Sequence, residues 1–259
     1  MPVISINGET LHYERAGAGP TLALFHSLGT NSYLWVQQIT HWRDRFTCIA
    51  FDARGHGRST NNGGVTMQNA AEDVHAALLD LDLLPANIIG ISMGALQCAW
   101  FHALDPGAVT SIVYADSFAC MGEAGAARIG AIEEKIASMT MAEFGADYTA
   151  NTLLPATATV HHQALTDAIA GMTAEDYMQT VRSIFTEDVR EPLKGIDKPT
   201  RIIVGEHDLR TPLAASESVR DLVAGSDLQV IPDAAHLSNI DNPEGFRSVV
   251  EPFLSRFTD

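Results

Sequence analysis

The sequence predicts an α/β fold: a mostly parallel sheet of eight strands with helices on both faces and a helical insertion. Three observations lead there. Short apolar runs alternate with stretches of helical periodicity from Thr21 to Ala115, and again from Thr200 to the C-terminus. Runs such as Thr21–His26 (TLALFH) are apolar almost without interruption, as expected of a strand covered on both faces. Between the two alternating blocks, residues 117–187 lose the strand signal and read as Ala- and Met-rich helices. Residues 1–116 and 188–259 then form one core domain, and 117–187 a helical cap inserted in it.

The elements follow in order. Pro2–Ile6 and Leu11–Arg15 read as a hairpin around Asn7-Gly8, a strong two-residue turn signal. Thr21–His26 is the next strand, and Asn31 or Ser32 can cap the helix that begins near Tyr33, Trp35 and Val36. Thr47–Phe51 is a strand that runs into a turn-rich loop, 52–59. Ala70, Val74, Ala77, Leu78 and Leu81 keep helical spacing within 67–84, which stops before Pro85. Asn87–Ile91 is a buried strand, and a helix runs from Met93 to Leu104, closed by Asp105-Pro106-Gly107. Val109–Ala115 is another strand and leads to Asp116. In the insertion, helical windows cover 123–139, 141–149, 161–170 and 174–185. Thr200–Val204 restarts the strand pattern, 212–224 is helical, and Leu228–Ile231 is the last strand. A terminal helix spans 244–257, with Pro243 at its first turn. In such a sheet functional side chains gather at the carboxyl ends of strands. His26, Ser92, Asp116, Asp208 and His236 all fall there.

Gly90-x-Ser92-x-Gly94 stands at the strand-to-helix junction and has the form of a nucleophile elbow. A sharp turn projects the Ser92 hydroxyl above the sheet edge, and small residues two before and two after let strand and helix pack closely. The helix N-terminus aims N–H groups at the same point. A serine hydroxyl is a poor nucleophile until a base takes its proton, and the base needs an orienting carboxylate. The chain supplies Ser92, Asp208 and His236 in that order, with His236 in the loop after the last strand. Asp116 competes with Asp208 for the role of acid; Asp208 is preferred because Gly-Glu-His-Asp closes a strand, which leaves Asp116 to line the pocket. Backbone N–H groups of Met93 and Leu28 are the expected oxyanion donors. His26 reads as a clamp for its own loop, and Asp52, Arg54 and His56 as loop ties.

The 259 residues are 46% hydrophobic, enough for one large core. A net charge of −16 argues against nucleic acid and anionic membranes as partners, and an anionic substrate would need a local basic group. Cys48, Cys98 and Cys120 are odd in number and lack C-x-x-C spacing, so neither a disulfide framework nor a zinc site is expected. No signal-peptide pattern opens the chain and no apolar run reaches the roughly 18 residues of a membrane span. A cytoplasmic enzyme without metal or cofactor is the expectation, and a homodimer is compatible with the sequence.

Along nearly its whole length the chain resembles α/β-hydrolases, and within them 3-oxoadipate enol-lactonases and related esterases. The matching stretches are His-Ser-Leu-Gly-Thr (26–30), Phe-Asp-Ala-Arg-Gly-His-Gly-Arg-Ser (51–59), Gly-Ile-Ser-Met-Gly (90–94), Gly-Glu-His-Asp (205–208) and Ala-His-Leu-Ser-Asn-Ile (235–240). The resemblance implies an eight-stranded α/β-hydrolase sheet, a cap over the pocket, and hydrolysis of a small ester or lactone through an acyl-enzyme on Ser92, an enol-lactone being favoured. The resemblance also implies a cap Arg-Trp pair that meets the substrate carboxylate. Here Arg128 is the counterpart, but no tryptophan adjoins it, and Ala95 stands where a second glycine is frequent. Ser27, Asp116 and Arg128 are therefore the candidate substrate-binding residues. The same fold and triad also serve C–C bond hydrolysis of dienoic ketoacids, general carboxylester cleavage and peracid formation, because specificity lies in the cap. A non-catalytic receptor is disfavoured by the complete triad, and a haloalkane dehalogenase by serine at the elbow.

Overall fold

The computed structural model describes residues 2–258. A hairpin of β1 (Val3–Ile6) and β2 (Glu9–Ala16) opens the chain. Its turn residues, Asn7 at φ 53° and Gly8 at φ 82°, both lie in the left-handed region that matches the twist of the flanking strands. There follow β3 (Thr21–Phe25), α1 (Val36–Trp42), β4 (Thr47–Phe51), α2 (Met67–Asp80), β5 (Ala86–Ile91), α3 (Met93–Leu104) and β6 (Val109–Ala115). The insertion holds α4 (Glu123–Ser138), α5 (Met141–Ala150), α6 (Thr159–Ala170) and α7 (Ala174–Thr186). The chain ends with α8 (Arg190–Lys194), β7 (Thr200–Gly205), α9 (Leu213–Leu222), β8 (Asp227–Ile231), α10 (Ser238–Asp241) and α11 (Pro243–Leu254).

The eight strands form one sheet in the order β1-β2-β4-β3-β5-β6-β7-β8. Pairings β1–β2 and β2–β4 are antiparallel, and the rest are parallel. Every residue of β3, β4 and β5 is buried, which explains their uninterrupted apolar runs. The chain leaves β3 for β4 on one side, then returns past it to β5 on the other. That reversal opens a crevice at the carboxyl ends of β3 and β5, where ligands settle in sheets of this kind.

The predicted helix over 67–84 stops at Asp80. Asp82 turns left-handed at φ 56°, and the Leu83 N–H folds back onto the Leu78 carbonyl at 2.9 Å, so the chain leaves the helix before Pro85 is reached. The terminal helix begins at Pro243, contains Pro252 and tightens into a 3₁₀ turn over Ser255–Phe257. Helices α8 and α10 are too short to leave a periodic signature.

The insertion packs as two helix pairs, α5 with α6 and α4 with α7. Its two ends meet: Cys120 bridges Asp188, and the Val189 N–H donates to the Ala119 carbonyl at 2.9 Å. Three of its bonds to the core reach segments that follow strand carboxyl ends. Asn61 donates to Asp176 (2.7 Å), the Leu154 N–H to Asp241 (3.0 Å) and Arg128 to the Arg210 carbonyl (3.0 Å). The insertion therefore lies over the edge of the sheet where the candidate site residues gather. Among the described residues no helix is long and apolar enough to cross a membrane.

Candidate active site

Ser92 joins β5 to α3 with φ 55° and ψ −115°. A side chain at positive φ costs about 1–3 kcal/mol and persists only where the surroundings enforce it. They do so here. The Ser92 N–H donates to the Ala115 carbonyl (2.9 Å), and the Ser117 hydroxyl donates to the Ser92 carbonyl (2.9 Å). The glycines are sterically required. A Cβ on Gly90 would stand 2.2 Å from the Gly94 carbonyl oxygen, and one on Gly94 would stand 2.2 Å from that of Phe25. The turn leaves Ser92 half-buried, at the crevice.

His236 lies in the loop after β8 and is buried. Its Nε2 is 2.9 Å from Ser92 Oγ, and its Nδ1 is 2.9 Å from Asp208 Oδ2. Asp208 also accepts from the Arg210 N–H (2.8 Å), the Thr211 N–H (3.0 Å) and the Thr211 hydroxyl (2.7 Å). Burial opposes its ionisation, but the His236 partner and the Thr211 hydrogen bonds outweigh that and hold the carboxyl at about 2. An ionised Asp208 assigns the Nδ1 proton to the shared bond and leaves the Nε2 lone pair facing the Ser92 hydroxyl. The arrangement can take a proton from Ser92 and return it to a leaving group.

Asp116 does not line the pocket, contrary to the expectation from its position. It sits at φ 48° after β6 with no exposed surface. Its Oδ1 accepts from the Gly205 N–H (2.8 Å), and its Oδ2 contacts the Ser238 N–H (3.2 Å) and hydroxyl (2.5 Å). It thus ties the end of β7 to the segment just after His236. Burial, with the Asp208 charge nearby, pushes its carboxyl well above the usual range. The acid in contact with His236 is Asp208.

Leu28 lies in the loop after β3, which is fastened by its own side chains. His26 Nδ1–H donates to the Ser27 carbonyl (2.8 Å), the Thr30 hydroxyl donates to the same oxygen (2.7 Å), and the Ala53 N–H donates to His26 Nε2 (2.9 Å). One His26 nitrogen is thereby engaged within its own loop and the other by the loop after β4, and burial lowers its basicity. Among the described residues the Leu28 and Met93 N–H groups donate to no protein acceptor outside helices and strands. Ser27 is buried and its hydroxyl has no hydrogen-bond partner. Asp52 receives the Ser32 N–H (2.7 Å) and pairs with His12 (3.1 Å). Arg54 grips Asp73 with two bonds of 2.7 and 2.8 Å. His56 is pushed down to about 3 by burial, with neighbouring His26 adding to it. This loop is a structural tie.

Arg128, on α4, is half-buried; one nitrogen donates to the Arg210 carbonyl (3.0 Å) and its guanidinium lies over Phe185. Arg210, Tyr148 and Tyr177 also stand at this edge and escaped sequence reasoning. For Arg210 a signal existed, a cation two residues after Asp208; for the tyrosines only the fold reveals their place. A cleft of about 680 Å³ opens elsewhere, between the α6–α7 turn and the loop after β4, and none of Ser92, Asp208 or His236 lines it. Their mutual geometry, not cavity size, marks the site. Glu206, His207 and Asp233 bring potential metal-ligand atoms within 4.8 Å of one another, but all three are exposed and none belongs to the crevice.

Residues 22–249 match the alpha/beta hydrolase family, and the chain belongs to it. It is a hydrolase of that family. It is 31% identical over 242 residues to 3-oxoadipate enol-lactonase 2 of Acinetobacter baylyi, covering 92% of this chain and 90% of that protein. It is 27% identical to 2-(acetamidomethylene)succinate hydrolase of Mesorhizobium japonicum, over 97% of this chain and 94% of that protein. The crystal structure of the enol-lactonase from Burkholderia xenovorans LB400 superposes with a TM-score of 0.88 at 26% identity, covering 98% of this chain and all of that one.

Proposed function

We propose that this hydrolase cleaves a small carboxylic ester or lactone, an enol-lactone foremost, through an acyl-enzyme on Ser92. The observation that carries the reading is the unbroken 2.9 Å chain from Ser92 Oγ through the His236 ring to Asp208. His236 Nε2 takes the Ser92 proton as Oγ bonds to the carbonyl carbon. The carbonyl π pair moves onto oxygen, where the N–H groups of Leu28 and Met93 receive the charge. Collapse expels the alcohol or enol oxygen, which leaves with the proton from His236. Water, deprotonated by His236, then cleaves the acyl-enzyme and restores Ser92. With a lactone the leaving group stays tethered, so the final product is one ring-opened acid. Asp208 orients the imidazole and stabilises its cation. The helices over residues 117–187 act as the cap that encloses the acyl and leaving groups. Arg128 lacks the neighbouring tryptophan that the resemblance implies.

The test is steady-state hydrolysis of 3-oxoadipate enol-lactone beside a simple aryl acetate, with phosphonate labelling of Ser92. High kcat/KM on the lactone and labelling at Ser92 are expected. Turnover that survives complete labelling of Ser92 overturns the mechanism, and preference for the acetate overturns the enol-lactone assignment. A second reading, hydrolysis of an amide-like bond, has one observation in its favour, the relative that acts on 2-(acetamidomethylene)succinate. Three unpaired cysteines suit a cytoplasmic setting for either reaction.

A further inference from the structure

The molecule carries 32 acidic and 16 basic residues, so most cations have a carboxylate at hand. Arg128 and Arg210 are different: among the described residues neither has an acidic group within the 4.0 Å of an ion pair, although both are half-buried. Arg128 spends one nitrogen on the Arg210 carbonyl (3.0 Å) and lies 3.9 Å from Met121 sulfur. Arg210 lies 4.1 Å above the Tyr148 ring centroid, with Nη2 3.4 Å from the Tyr148 carbonyl oxygen. Its Nε is buried and has no acceptor, and the hydroxyl of wholly buried Tyr177 also has no partner. A buried donor left without an acceptor costs about 1–3 kcal/mol. Such groups in native proteins need an explanation.

Their placement supplies one. Arg210 follows Asp208 by two residues and gives it a backbone hydrogen bond, and the Thr211 hydroxyl is 3.3 Å from His236 Nδ1. Tyr177 packs against Gly29, where a Cβ would stand 3.2 Å from Tyr177 Cε2. The Tyr148 and Tyr177 rings, 6.4 Å apart and edge to face, span the gap between the two. Arg210 thus adjoins the acid loop and Tyr177 the loop that carries Leu28, and Ser92 lies between those two loops in the sheet order. From this we infer that Arg210, completed by the Tyr177 hydroxyl, is the anchor for a carboxylate on the substrate, and that Arg128 braces the Arg210 loop instead of meeting that carboxylate. Planar guanidinium suits bidentate recognition of a carboxylate. In a protein of charge −16 such a group is also what an anionic substrate requires. The inference rests on the serine-hydrolase reading for its location, and its test separates the two.

The experiment pairs 4-nitrophenyl acetate with 4-nitrophenyl hemisuccinate, which adds one carboxylate. The wild type should favour the hemisuccinate. Arg210→Gln should lower the hemisuccinate-to-acetate ratio of kcat/KM by about 10- to 100-fold, the loss expected of a charge-assisted pair. Arg210→Lys should recover part of the ratio, and Tyr177→Phe should lower it by about 5-fold, as for one neutral hydrogen bond. Equal losses on both esters would mean that Arg210 only shapes its loop, and a ratio that follows Arg128→Gln instead would move the anchor there. Calorimetric binding of succinate to the Ser92→Ala protein reads the anchor without turnover. Binding that disappears with added Arg210→Gln supports it even if the serine mechanism fails; binding that persists overturns it.

Discussion

Each polar side chain at the crevice is defined by what it touches. Under the proposed mechanism, Ser92→Ala should lower kcat by about 10⁴-fold or more while the far-ultraviolet circular dichroism stays that of the wild type, since removal of the proposed nucleophile leaves binding and the proposed oxyanion donors in place. Residual turnover near wild type would sink the assignment. Asp208→Asn should cost about 10⁴-fold in kcat, because an amide favours the wrong imidazole tautomer. The two carboxyls pull stability in opposite directions with pH. Asp208, held at about 2, contributes stability above its unfolded value of about 4, and that contribution fades as pH falls through its folded value. Asp116, with its carboxyl raised, contributes fully below about pH 4 and loses that contribution as pH rises. Asp116→Asn should therefore raise the Tm more at pH 8 than at pH 4, read by thermal melts; a lower Tm at both would mean an ionised anchor. Ser92, Asp208 and His236 were legible because each stands at a strand end beside turn residues. The depth of Asp116 was not, since local sequence does not say that Gly205 and Ser238 close over it. Nor was Arg210, whose unmet donors are visible only once Tyr148 and Tyr177 arrive from other helices.

Among the elements, the elbow and the loop after β4 have the least tolerance. Gly94→Ala would drive a methyl to 2.2 Å from the Phe25 carbonyl oxygen, backbone against backbone with no flexible partner to move. A loss of about 3 kcal/mol or more is expected, read by urea denaturation. Arg54→Ala should cost a similar amount, about 3–5 kcal/mol, because it strands the buried carboxylates of Asp73 and Glu9. A near-neutral result would mean that those acids protonate instead. Strong periodicity made the long helices legible to within a few residues, and the apolar runs did the same for the central strands. The stop at Asp80 was hidden because nothing but the left-handed turn at Asp82 ends α2 there, and an aspartate at such φ has no unique signature.

For the molecule as a whole, a charge of −16 surrounds a crevice with local cations. The kcat/KM for 4-nitrophenyl hemisuccinate should rise as salt is added toward about 150 mM, where the Debye length shrinks to about 8 Å, while that for the neutral acetate stays flat. A flat response for both would show that the crevice potential, not the global charge, governs encounter. The alternation of strands and helices made the sheet readable at this scale, whereas the way α4–α7 fold over its edge depends on packing between distant segments. The bond between His236 and Ser92 joins positions 144 residues apart, against 28 for His236 and Asp208. Chain closure over such a span is entropically costly and slow, and here it must wait for the strands that carry both partners to find their neighbours. The proposed ester cleavage is therefore a clock for folding: in refolding from urea it should return only after the helical signal has recovered, and a nascent chain should remain chemically silent until His236 and the strand before it have been made.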